Sequence, residues 1–108
     1  MKKTKAQVRN CVSRLRVLAD ETRLRVIHEI MNHPLTVTEI NDVLKIDQSL
    51  LSHHLKVLRD SGLVTSERQG KSVVYQTSVK VIPGMNEQVV DLGCCQLNFK
   101  NEAPNKEI

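Results

Sequence analysis

The stretch QSLLSHHLKVLRDSGLVTSERQGKSVVYQ, residues 48–76, decides how this chain folds. Setting successive residues about 100° apart gathers Leu51, Leu55 and Leu58 on one side of a helix, the side that must face a core. Ser49, His53 and Lys56 fall opposite them, with Gln48 and Ser52 flanking. Asp47 stands where an N-cap belongs and Gly62 where a helix stops. After Gly62 the period changes, and two β-prone arms flank Gly70-Lys71, the pattern of a hairpin.

Upstream, Thr36 followed by Glu39 is a capping-box signature for a short helix ahead of residue 47. Two short helices joined by a tight turn are the frame of a helix-turn-helix, in which the second helix enters the major groove of DNA. Further back, Asp20 caps a helix carrying Leu24, Ile27 and Met31, which Pro34 is expected to end. Residues 5–18 read as a first helix with Val8, Cys11, Val12, Leu15 and Leu18 on one face. Downstream, residues 85–93 are expected to form a further short helix. Residues 1–99 read as one winged-helix domain and residues 100–108 as a flexible tail. The expected class is mainly α with a small β-hairpin.

Composition agrees with one small domain. Apolar residues make up 40% of the 108 and aromatics only 2%, so the core rests on Leu, Val and Ile and gains from a partner subunit. Sixteen Lys and Arg against 12 Asp and Glu give a net charge of +4, which raises nucleic acid as a partner without proving it. No apolar run is long enough for a signal peptide or a membrane span, so a cytoplasmic protein with reduced thiols is expected.

A hairpin directly after the groove-reading helix is a wing. On this reading Gln48, Ser49, Ser52, His53 and Lys56 contact bases or backbone of double-stranded DNA, Gln48 anchoring the helix start. Arg68 and Lys71 grip phosphates from the wing. The alternative is a solvated surface and a charged hairpin tip. His53 and His54 are neighbours and point about 100° apart, and His28 and His33 are five residues apart, so none of the four is read as a metal ligand.

Taken together, VLADETRLRVIHEI (residues 17–30), QSLLSHHLKVLRDSGLV (48–64) and QGKSVVYQ (69–76) resemble the ArsR/SmtB family of bacterial transcriptional repressors. The resemblance covers residues 10–80. It implies a winged-helix homodimer bound to an operator and released by an inducer, often a metal or metalloid ion. It also implies a dimer interface built by the first and last helices. Neither usual inducer site carries over cleanly. Where one site has a Cys-x-Cys pair this chain has Thr36, Val37 and Thr38, whose hydroxyls are poor ligands for soft ions. The second site draws on Asp, His and Glu of a C-terminal helix; here no His lies beyond residue 54, and after the wing only Glu87 and Asp91 sit in the expected helix.

The three cysteines remain: Cys11, and the adjacent pair Cys94 and Cys95. By the family's architecture the pair lies at or just past the end of the last helix and Cys11 in the first, so all three could converge near the dimer interface, within one chain or across subunits. Three thiolates suit trivalent arsenic or antimony; tetrahedral zinc prefers four ligands. A thiol switch between Cys11 and Cys94 or Cys95 is the second reading. The third is a small buried hydrophobe at Cys11 beside an idle pair. A small thiol enzyme or metal carrier is disfavoured, because working pairs are spaced C-x-x-C and no catalytic set or Gly-rich loop is present. A winged helix that binds protein instead of DNA is the remaining alternative.

Overall fold

The computed structural model describes residues 5–83 and 87–100. Helix α1 spans Lys5–Leu18, α2 Glu21–Ile30, α3 Val37–Leu44 and α4 Gln48–Asp60. The caps expected from the sequence form. The Asp20 carboxylate accepts the Arg23 amide at 3.0 Å, and Thr36 and Glu39 close a reciprocal capping box. Helix α2 stops at Ile30, short of Pro34, which therefore does not end it.

Between α3 and α4 the chain turns sharply. Lys45 takes a left-handed conformation with φ 55°, and the Asn41 side chain bonds both the amide and the carbonyl of Ile46 at 2.9 Å. That clamp satisfies the backbone groups at the turn and fixes the angle at which α4 leaves it. Helix α4 ends in a Schellman arrangement: the Leu63 amide donates to Leu58 and the Gly62 amide to Arg59, with Gly62 at φ 78°.

Strand β1 (Leu35–Thr36) pairs with β3 (Ser72–Thr77), which pairs with β2 (Val64–Gln69), all antiparallel. Gly70, at φ 64°, opens the two-residue loop between β2 and β3, and Lys71 follows it. This is the wing. Val26, Ile27 and Ile30 from α2, Ile40 from α3, and Leu51, Leu55 and Leu58 from α4 meet Leu63, Val64 and Tyr75 in one core.

Beyond the wing the structure departs from expectation. Glu87–Asp91, expected within a helix, form strand β5, flanked antiparallel by β4 (Lys80–Pro83) and β6 (Gln96–Lys100). Residues 85 and 86 lie outside the described residues. The strand wins because Val89-Val90 are β-branched and both neighbours offer a ladder in register, Val81 and Leu97 opposite Val90. Val90 and Leu92 are fully buried in the core. Phe99 of β6 sits against His28 of α2, ring centres 5.1 Å apart, and Gln88 bonds Asn32. Lys100, expected in the tail, closes β6; residues 101–108 lie outside the described residues.

Candidate functional site

Two assemblies of polar side chains stand out, one on the reading helix and wing, the other where α1 meets the β5–β6 turn. On α4 the predicted outer face is exposed: Gln48, Ser49, Ser52, His53 and Lys56 all point away from the core. Arg68 and Lys71 are exposed at the wing. Two of these groups already have partners. The Ser49 hydroxyl donates to Asp47, which also accepts the Ser49 and Leu50 amides at 3.1 and 3.2 Å. Led by the hydroxyl bond, these contacts hold the Asp47 carboxyl below its ordinary range. Lys56 Nζ lies 2.7 Å from Asp60 Oδ2, one turn along, and holds that carboxyl low as well. Leu50 is exposed on the same helix.

His54 behaves differently from His53. It is buried on the inner side of α4, with Nδ1 3.2 Å from Arg23 Nη1 and 4.0 Å from Asp20 Oδ1. An arginine only donates, so Nδ1 accepts and the ring proton sits on Nε2. Arg23 Nε donates to the Val17 carbonyl at 2.6 Å, one residue before α1 ends. Hydrogen bonds thus run from the C-terminal turn of α1, through Arg23, into the reading helix. The Asp20 carboxyl at this junction lies below its ordinary range, chiefly through the Arg23 amide. Only TRLRV at residues 22–26 hinted at this role, since a cation among apolar positions calls for a partner.

The second assembly joins the three cysteines. Cys94 and Cys95 lie in the tight turn between β5 and β6, not at or just past the end of a helix, because Glu87–Asp91 and Gln96–Lys100 on either side pair as strands. The turn is closed by the Leu92 amide on the Cys95 carbonyl at 2.8 Å and by the Gly93 amide on Asp91 at 2.8 Å. Gly93 adopts φ 92°, a conformation that glycine takes without steric cost. The Arg14 guanidinium of α1 donates to the Leu92 carbonyl at 2.6 Å, tying the turn to the helix. Cys11 and Cys94 form a disulfide, with Cα atoms 5.7 Å apart, and the free Cys95 sulfur lies 3.1 Å from that of Cys11. All three sulfurs fall within 4.8 Å of one another, inside a single chain. Thr36, Val37 and Thr38 are committed to capping and starting α3, and Glu87 and Asp91 to strand β5.

Comparison with known proteins places this architecture. A profile described as "Bacterial regulatory protein, arsR family" matches residues 20–66. An arsenical resistance operon repressor of Bacillus subtilis is 30% identical over 104 residues, covering 94% of this chain and 96% of that protein. The chain belongs to the ArsR/SmtB family of winged-helix transcriptional repressors. It is similar as well to the regulator NmtR of Mycobacterium tuberculosis, 43% identical over 63 residues, and spans about half of that protein's length (52%, against 58% of its own). Among solved structures, HlyU from Vibrio cholerae superposes with a TM-score of 0.67 at 31% identity, covering 68% of this chain and 80% of that one. The chain is therefore a DNA-binding regulator and not an enzyme. Among the described residues no helix is long and apolar enough to cross a membrane.

Proposed function

We propose that this ArsR-family protein is a cytoplasmic repressor whose grip on its operator is controlled through Cys11, Cys94 and Cys95, with trivalent arsenic or antimony as inducer. The observation that carries the reading is the convergence of three sulfurs within 4.8 Å. Three sulfurs each about 2.3 Å from one ion, the zinc–sulfur value, lie at most about 4.0 Å apart, so a cluster this tight needs little adjustment to share an ion. Once the Cys11–Cys94 bond is reduced, the set is three half-buried thiols, which fits a soft ion that accepts three thiolates. Likeness to an arsenical resistance repressor over nearly the whole chain supports the same choice.

In the DNA-bound form, α4 lies in the major groove. Gln48, Ser49, Ser52 and His53 meet bases or backbone, and Lys56, Arg68 and Lys71 meet phosphates. Phosphate competes with Asp60 for Lys56, so that contact forms by exchange of partners. The protein acts as a homodimer through α1, whose Val8, Val12 and Leu15 stay 51%, 43% and 39% exposed in the single chain. Bound at the three thiolates of the reduced protein, the ion would tie α1 to the β5–β6 turn and fix their relative position. Arg23 transmits the shift of α1 from Val17 to His54 on the reading helix. The shape favoured by the inducer then binds operator less tightly, by the ratio of its affinities for the two shapes.

A second reading is favoured by one specific observation, the bond between Cys11 and Cys94. Under it, oxidation closes the same junction and the operator is released without a metalloid.

Fluorescence anisotropy of the reduced protein on a fragment of its own promoter tests both. Arsenite, antimonite, zinc, cadmium and hydrogen peroxide are titrated separately. Release by the two metalloids, abolished by Cys94→Ser with operator affinity intact, is the expected outcome. Release by peroxide alone, reversed by dithiothreitol, replaces it with the thiol switch. Unchanged metalloid response in the Cys94→Ser protein refutes the three-sulfur site.

A further inference from the structure

A cleft of about 550 Å³ opens beside the cysteines, lined by Asn10, Ser13, Arg14, Val17, Ser61 and Cys94 with the Leu92–Gly93 backbone. That volume is in the range of small-molecule sites. Its walls carry an amide, two hydroxyls and a guanidinium, and no carboxylate. Arg14 spends one N–H on the Leu92 carbonyl, and a guanidinium has five.

The side of α1 matters. At about 100° per residue, Asn10, Ser13, Arg14 and Val17 lie roughly opposite the exposed stripe of Val8, Val12 and Leu15. A second subunit seated on that stripe leaves the cleft open. Cys94 reaches the cleft, whereas Cys11 and Cys95 do not line it.

We propose that this cleft receives a low-molecular-weight disulfide carrying carboxylates, which oxidises Cys94. This rests on the thiol-switch reading and supplies its oxidant. Arg14 and the neighbouring hydroxyls hold the carboxylates while the Cys94 thiolate attacks one sulfur of the bound disulfide. One small thiolate leaves and a mixed disulfide forms on Cys94. The Cys11 thiolate then attacks the Cys94 sulfur and expels the second small thiolate. The protein loses two electrons and two thiol protons, and the small disulfide gains both to become two thiols. Cys95 stays reduced beside the new bond.

The test uses the reduced full chain without metalloid or DNA. Glutathione disulfide (anionic), hydroxyethyl disulfide (neutral) and cystamine (cationic) are supplied in turn, and mixed disulfides are trapped and mapped by mass spectrometry on a Cys11→Ser background. The expected result is modification at Cys94, with glutathione disulfide reacting roughly tenfold faster than cystamine, a modest effect for a charged cleft. Ser13→Asp, which leaves the Arg14 tie intact, should reverse that order. Equal rates for the three, an order unchanged by Ser13→Asp, or modification chiefly at Cys95 would overturn the proposal. Peroxide titration of the wild-type protein on operator DNA separates the two ideas. Release by peroxide without any charge preference among the disulfides discards the cleft and keeps the switch; no release by peroxide discards the switch.

Discussion

Joining Cys11 to Cys94 closes a loop of 83 residues, nearly the whole described chain, and this makes the stability of the oxidised protein a sharp quantity to measure. The chain-entropy relation for a loop of that length gives about 4.5 kcal/mol at 25 °C as the stabilisation when the native geometry accepts the bond without distortion. Unfolding entropy of roughly 2.1 cal/mol/K per residue converts that into an upward shift of the melting temperature of up to about 20 °C. The expected gain is between about 2 and 4.5 kcal/mol, since disulfides commonly deliver less than the entropy limit. The assay is guanidinium and thermal unfolding of oxidised and reduced protein at one fixed concentration, because the proposed dimer would make the midpoint concentration-dependent. Cys11→Ser and Cys94→Ser should each abolish the difference, and Cys95→Ser should keep it. A midpoint that dithiothreitol leaves unmoved in the wild-type protein refutes the reasoning.

Arg23→Met strands the Val17 carbonyl and His54 Nδ1 at a half-buried junction and should cost about 2–3 kcal/mol of stability; an unchanged urea midpoint would remove Arg23 from the linkage. Replacing Arg68 or Lys71 by Gln should each lower the salt dependence of operator binding by about one unit of slope, with the circular dichroism melt unchanged. An unaltered slope would take that residue off the phosphate. Asp20 and Asp47 both lie below the ordinary carboxyl value of 3.8 when folded, Asp20 mainly through the Arg23 amide and Asp47 mainly through the Ser49 hydroxyl. The unfolded chain then binds more protons in that window. Their stabilising contribution is full above the ordinary value and fades as pH falls through the folded one. Unfolding midpoints followed down an acid series should therefore drop less steeply in Asp20→Asn than in wild type, and parallel curves would contradict it.

What the sequence determined by itself is local. Asp20, Thr36 with Glu39, Asp47 and Gly62 act within a turn of where they stand, so each helix boundary they mark was legible. Gly70-Lys71 announced the wing for the same reason, and the spacing of Leu51, Leu55 and Leu58 set the buried side of α4, leaving His53 outward. Strand β5 was not legible: Glu87–Asp91 carries no strong period of its own, and its conformation is chosen by ladders to β4 and β6. Nor was the bond from Arg23 to His54, 31 residues apart, or the place of Cys94 and Cys95 in a strand turn. The meeting of those thiols with Cys11 within one chain follows from that turn being tied to α1 by Arg14. Caps and hairpins depend on neighbours in sequence, whereas a cysteine cluster depends on which distant backbones the core brings side by side.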